Sequence, residues 1–164
     1  MDAGISLLPL RGLRSWLSFQ RDLLFAPGED TASGPPREPN RVLIIEDDLL
    51  IASQMEVALT EAGFDTIGVA TNGEEALELA ATEPPDLAIT DIKLAGDHDG
   101  VDTALALFHA HGIRCIFASA YSDEEARRRA EPAAPLGWLQ KPYSMASLTA
   151  AVRRAASELR DKKR

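Results

Sequence analysis

From Arg41 onward the chain alternates five times between a short apolar run and a segment of helical periodicity, and no other feature restricts its fold so tightly. The apolar runs are RVLII (Arg41–Ile45), DTIGVA (Asp65–Ala70), DLAIT (Asp86–Thr90), RCIFA (Arg114–Ala118) and GWLQ (Gly137–Gln140), each suited to a buried strand. Between them, Asp48 is placed to cap a helix running to Ala62, which Gly63 ends. Asn72, with Glu75 three residues on, opens a second helix. The Asn72–Gly73 pair would also suit a hairpin, but the EEALELAA that follows is helical rather than alternating. A third helix is predicted over Gly100–His111, and a short fourth opens with Ser122 and Glu125. Ser144 caps a fifth, with Leu148, Val152, Ala155 and Leu159 on one face. Strands alternating with helices imply parallel strands, right-handed crossovers and helices on both faces: a doubly wound, five-stranded α/β sheet.

In such a sheet the carboxyl ends of all strands share one rim, and ligands bind outside it. The residues that fall there are unusual. Glu46 and Asp47 follow the first strand, Asp91 the third, Ser119 the fourth, and Lys141 with Pro142 the fifth. Burying an unpaired carboxylate is costly, so a strand that ends on Asp91 must expose it or supply a cation. Three converging carboxylates repel and need one as well. Oxygen-only ligands suit Mg²⁺, or Mn²⁺, better than zinc, and no His or Cys lies at these strand ends. A hard divalent ion, a lysine and a lone nucleophilic carboxylate make a phosphoryl-transfer site. Asp91 would attack to form an acyl phosphate, Lys141 and the metal would offset charge on the transferring group, and Ser119 would hydrogen-bond a phosphoryl oxygen.

The segments VLIIEDD, DLAITDIKLAGDHDG, IFASAY and LQKPYS, in this order and spacing, resemble the receiver domains of two-component response regulators over Arg41 to roughly Arg160. The resemblance implies a flavodoxin-like sheet of order 2-1-3-4-5 flanked by five helices. It makes Asp91 the phosphoacceptor, Glu46 and Asp47 the acidic pair that holds Mg²⁺, and the backbone carbonyl of Lys93 a further ligand. Ser119 stands at the family's Thr/Ser position, Lys141 at its lysine, and Ala120 where a small residue admits phosphate. Trp138 falls at the switch aromatic, usually Tyr or Phe. The Lys93 and Tyr121 side chains occupy positions that tune autodephosphorylation. The implied partners are a phosphohistidine donor, on a histidine kinase or histidine phosphotransfer protein, and a downstream protein target. The sequence ends just after the fifth helix, so signalling is expected through protein contacts. Helix four, strand five and helix five, bearing Glu124, Glu125, Arg127, Arg128, Trp138 and Tyr143, form the expected surface for a homodimer or another partner. Apart from its own phosphorylation and dephosphorylation, the domain is not expected to be an enzyme.

A formal net charge of −9 argues against direct nucleic-acid binding. Cys115 is the single cysteine, lies in an apolar run, and reads as a buried, inert thiol of a reducing compartment. Asp2 spoils the basic start of a secretory signal, and Pro9, Arg11 and Arg14 interrupt its apolar stretch, so a cytoplasmic location is expected. Residues 1–25 carry Leu10, Leu13, Trp16, Leu17, Leu23 and Leu24 at helical spacing with Arg11, Arg14 and Arg21 between them, although Gly12 weakens the helix. Such a basic amphipathic segment suits helix pairing, docking or, less well, a membrane surface; the plainer expectation is that it is unstructured. Residues 26–40 are rich in Pro, Gly, Ser and acids and read as a flexible linker, with the receiver over 41–164. His98 has acidic neighbours but matches no ligand spacing, and it reads as a loop residue. His109 and His111 read as surface residues, and Arg127–Arg129 as a solvated helix face able to border a partner. A rival reading is a receiver fold that is never phosphorylated and serves as a protein-interaction module, against which the intact Glu46–Asp47–Asp91–Ser119–Lys141 set argues. An aspartyl-nucleophile hydrolase would need a second aspartate where Lys93 stands, and a nucleotide-binding fold would need a Gly-rich loop after the first strand.

Overall fold

The apolar runs become strands β1 (Arg41–Ile45), β2 (Asp65–Ala70), β3 (Leu87–Asp91), β4 (Arg114–Ser119) and β5 (Gly137–Gln140) in a computed structural model that describes residues 38–94, 99–120 and 124–162. The expected helix over residues 1–25, most of the linker, and the side chains of His98, Tyr121 and Ser122 lie outside the described residues. All strand pairs are parallel, and the order is β2-β1-β3-β4-β5. The helices are α1 (Leu49–Glu61), α2 (Gly73–Thr82), α3 (Gly100–His111), α4 (Glu124–Ala130) and α5 (Met145–Lys162), with a 3₁₀ turn at Glu131–Ala133.

Alternate residues of each strand enter two separate cores, as the two-residue period of a strand requires. Val42 and Ile44 of β1, with Leu87, Ile89, Ile116 and Leu139, pack under α1 and α5 through Ala52, Met55, Leu59, Leu148 and Val152. Leu43 and Ile45, with Ala88, Cys115 and Phe117, pack under α2, α3 and α4 through Ala76, Ala80, Val101, Leu107 and Ala126. Continuous apolar strands are what a sheet covered on both faces demands.

Local chemistry sets the helix ends. The Asp48 carboxylate accepts the Leu50 and Ile51 N–H groups at 2.9 and 3.2 Å, so Asp48 is the cap of α1. Asn72 Oδ1 accepts the Glu75 N–H at 3.0 Å, while the Glu75 carboxylate reaches back to the N–H and hydroxyl of Thr71. Ser144 Oγ accepts the Ser147 N–H at the start of α5. Gly112, at φ 69°, closes α3 in the left-handed conformation that favours glycine. At the opposite end of the sheet, the Asp86 carboxylate accepts the N–H groups of Asn40 and Arg41, both at 3.0 Å, and Pro39 is buried.

Two strands run one residue further than their apolar pattern: β3 includes Asp91 and β4 includes Ser119. Asp91 pairs with Ala118, and the ladder continues as the Ile92 N–H donates to the Ala118 carbonyl. The backbone needs partners there whatever the side chain is. Asp91 is therefore the last residue of a hydrogen-bonded strand, with its position fixed by the sheet.

Candidate functional site

The chain winds from β1 outward to β2, then returns across β1 to β3, so the order reverses between β1 and β3. Helices leave these neighbouring strands on opposite faces, which opens a crevice at their carboxyl ends. Ile45 pairs with Thr90, so the next residue along each strand, Glu46 and Asp91, flanks that crevice. Carboxylate oxygens of Glu46, Asp47 and Asp91 all lie within 4.8 Å of one another. Asp47 is exposed, Asp91 is half-buried, and Glu46 is only 2 % exposed.

Lys141, just past β5, spans the crevice. Its N–H donates to the Ser119 carbonyl at 2.6 Å, which anchors the residue to the end of β4. Its Nζ donates to Asp91 Oδ2 at 2.5 Å and lies 3.5 Å from Glu46 Oε2. The peptide bond from Lys141 to Pro142 is cis. Burial alone would lower the Lys141 pKa, but the hydrogen bond and charge of Asp91 and the charge of Glu46 outweigh it and hold the ammonium above its usual range. Burial raises the Glu46 carboxyl, and although Lys141 opposes that shift, the Asp91 charge adds to it, so Glu46 stands above its usual value. The Asp48 N–H faces Glu46 Oε1 at 3.3 Å, and the Lys93 N–H donates to Asp91 Oδ1 at 3.1 Å.

Ser119 ends β4 and is buried, whereas Ala120 beside it is exposed. Lys93 is exposed two residues past Asp91. Trp138 is half-buried on β5, its ring stacked on Phe117 at 4.6 Å between centroids and 18° between planes. The Arg127 guanidinium covers Trp138, 4.5 Å from the ring centroid. Of the arginine run expected to be solvated, Arg128 pairs with Glu125 and Arg129 reaches Asp99 and Asp102, so all three have partners. His109 and His111 are exposed at the end of α3.

Two residues were not singled out from sequence. Thr90 is fully buried and its hydroxyl donates to the Asp91 carbonyl at 2.9 Å. Gly100, the first residue of α3, donates its N–H to the Ile92 carbonyl at 2.8 Å and sits so close that a Cβ would lie 1.8 Å from the Asp91 carbonyl oxygen. The only sequence signal for Gly100 is a glycine directly after a capping Asp99.

The donor set suits a hard cation. Three carboxylates face one ammonium, all offering oxygen, and the Asp47 and Asp91 side chains reach solvent. Among the described residues no helix is long and apolar enough to cross a membrane.

The comparisons with known proteins agree with this geometry. The sequence profile of the response regulator receiver domain matches residues 42–153. The chain is 36% identical over 123 residues to the transcriptional regulatory protein PdtaR of Mycobacterium tuberculosis, covering 75% of this chain and 60% of that protein. It is 33% identical over 137 residues to the phyllosphere-induced regulator PhyR of Methylorubrum extorquens, covering 82% of this chain and 49% of that protein. The chain thus spans half to three fifths of these relatives' lengths. Among solved structures it is similar to the signal receiver domain of a modulated diguanylate cyclase from Desulfovibrio desulfuricans, with TM-score 0.68, 36% identity, and coverage of 74% of this chain and 97% of that one. It shares the fold of a CheY-like receiver domain from Methanospirillum hungatei, with TM-score 0.70, 23% identity, and coverage of 75% and 98%. Sheet order, rim chemistry and sequence similarity agree: the chain belongs to the response regulator receiver domain family, a signalling family of two-component systems.

Proposed function

We propose that this receiver is phosphorylated on Asp91 by a phosphohistidine donor, on a histidine kinase or phosphotransfer protein of the cytoplasm, and that it signals through protein contacts. The observation that carries the reading is the 2.5 Å bond from Lys141 Nζ to Asp91 Oδ2 within a cluster of three carboxylates. Glu46, Asp47 and Asp91, with the Lys93 backbone carbonyl, are the residues that would hold Mg²⁺. When bound, the ion offsets negative charge on the carboxylates and on the transferring group. Asp91 Oδ attacks phosphorus, the bond to the donor imidazole breaks, and the histidine nitrogen departs with the electron pair. Lys141 stabilises charge on the phosphoryl oxygens, and the Ser119 hydroxyl donates to one of them. Water regenerates Asp91 by hydrolysing the acyl phosphate, and we assign the tuning of that step to the side chain of Lys93, which is exposed two residues past Asp91.

The consequence we assign to phosphorylation is a shift of Ser119 toward the phosphoryl group, transmitted along β4 to the Phe117–Trp138 stack and hence to the face of α4, β5 and α5. That face would meet the target or a second copy. The test is acetyl phosphate, or a labelled kinase donor, with Mg²⁺ on the purified chain, read by intact mass. A Mg²⁺-dependent gain of one phosphoryl group, absent in Asp91→Asn, is expected. No gain with either donor refutes the reading and leaves the unphosphorylated interaction module.

A further inference from the structure

We propose that Arg129 is a positioning residue for phosphoryl transfer to Asp91, acting through Asp99 and the first turn of α3; this rests on the phosphoacceptor reading of Asp91. The guanidinium grips two carboxylates at once. Its Nη1 donates to Asp99 Oδ2 at 2.6 Å, and its Nη2 donates to Asp99 Oδ1 at 3.1 Å and to Asp102 Oδ1 at 2.8 Å. The pair with Asp99 is bidentate, the geometry in which Arg–carboxylate contacts are strongest and most directional. Asp99 is also the cap of α3: its Oδ1 accepts the N–H groups of Val101 and Asp102 at 2.9 and 3.0 Å. One carboxylate therefore ties α4 to the start of α3.

From there the contacts run directly to the phosphoacceptor. Gly100 follows Asp99, bonds the Ile92 carbonyl at 2.8 Å, and packs against the Asp91 carbonyl with no space for a Cβ. The Thr90 hydroxyl donates to the same carbonyl oxygen and would itself lie 2.7 Å from a Cβ on Gly100. Any shift of the first turn of α3 is thus passed to the Asp91 peptide, on which the Lys141 bond depends. Close-packed contacts transmit such shifts instead of absorbing them. Arg127 and Arg128 do not share this placement: one lies over Trp138 and the other pairs with Glu125 in its own helix. Burial would raise the Asp99 carboxyl, but Arg129 and the backbone N–H groups overcome this and hold it low, which is consistent with a cap kept ionised.

The plain alternative is a surface ion pair that only stiffens two helices. To separate the two, the full chain is phosphorylated by acetyl phosphate with saturating Mg²⁺, at a temperature well below the Tm of every variant. Arg129→Met should lower the maximal rate by about three- to tenfold, leave half-saturating acetyl phosphate unchanged, and do so while the protein is fully folded. Arg129→Lys keeps the charge, but one ammonium cannot reproduce the fork, so its rate should stay at least twofold below wild type. Arg128→Met should react as wild type does. A wild-type maximal rate in folded Arg129→Met, even with a lowered Tm, overturns the proposal. Should Arg129→Met not fold, a wild-type rate in Arg129→Lys overturns it equally. A wild-type protein that takes up no phosphoryl group overturns the reading of Asp91 itself, and is told apart because every variant then behaves alike.

Discussion

Gly100→Ala sets two rules against each other. Helix propensity alone favours alanine over glycine by up to about 1 kcal/mol. The structure predicts the reverse. A Cβ on Gly100 would lie 1.8 Å from the Asp91 carbonyl oxygen, 2.7 Å from Thr90 Oγ1 and 2.8 Å from the Asp91 carbonyl carbon. Real Cβ atoms essentially never come within 3.0 Å of such neighbours, so α3 and the Asp91 peptide must part by about 1.2 Å. The obstacle is backbone inside a sheet, which cannot rotate aside as a side chain could. That displacement stretches the 2.8 Å bond from the Gly100 N–H to the Ile92 carbonyl beyond hydrogen-bonding range. Overpacking costs about 1–3 kcal/mol and the lost bond about 1 kcal/mol, which leaves a net destabilisation of about 1–3 kcal/mol after the propensity gain. For a domain of this size the Tm should fall by roughly 4–12 °C. Urea and thermal unfolding, followed by circular dichroism, measure it. Gly137→Ala is the control: a Cβ there meets nothing within 4 Å, and stability should change by less than about 0.5 kcal/mol. A Gly100→Ala protein as stable as wild type would refute the close-approach argument, and with it the mechanical link between α3 and Asp91.

Two further predictions concern titration. Burial pushes the Cys115 thiol up to about 12, so at pH 8 its thiolate is about a thousandfold scarcer than that of a thiol at the ordinary 9.0. Ellman's reagent should therefore label Cys115 only as fast as the protein unfolds, and labelling in native buffer at the rate seen in urea would count against this burial. Glu46 is a carboxyl whose folded pKa is raised above 4.5, chiefly by burial. Such a group contributes stability while protonated, below its unfolded pKa, and loses it as pH rises through the folded value. Without Mg²⁺, Glu46→Gln should thus have the higher Tm at pH 7, with the gain fading toward pH 4; a Tm below wild type at pH 7 contradicts it.

The features legible in sequence are those that local chemistry decides. Strand and helix alternation could be read because each run carries its own period and caps, as Asp48, Asn72 and Ser144 do. Glu46, Asp91 and Lys141 could be placed on one rim because parallel strands share a carboxyl edge. The sheet order could not be derived that way: it depends on which strands pair, and it followed from family resemblance. The apolar runs stop at Thr90 and Ala118, and the backbone ladder continues one residue past each, to Asp91 and Ser119. Arg129 was the hardest to read. Its partner Asp99 lies 30 residues away, and nothing in a run of three arginines distinguishes the one that crosses to another helix.

The fold itself creates the charge imbalance that the proposed chemistry needs. Because strand order reverses between β1 and β3, the residues following Ile45 and Thr90 must be neighbours, and both are acids. With Asp47 they make three carboxylates against the one ammonium of Lys141, an excess of two negative charges when all are ionised. Two unit charges 4.8 Å apart repel by about 3 kcal/mol at an effective dielectric constant near 20, a sizeable share of a small domain's stability. No packing argument requires Glu46 to be an acid, since a buried glutamine would fill the same space without the charge. The sheet ladder holds Asp91 in place, Gly100 and Thr90 fix its peptide, and Lys141 offsets only part of the charge. A site that is rigid and under-neutralised in this way lowers its energy by taking up a cation. A divalent cation held there would raise the stability of the folded domain in proportion to its occupancy, so the Tm should climb with added Mg²⁺ and the rise should vanish in Asp47→Asn.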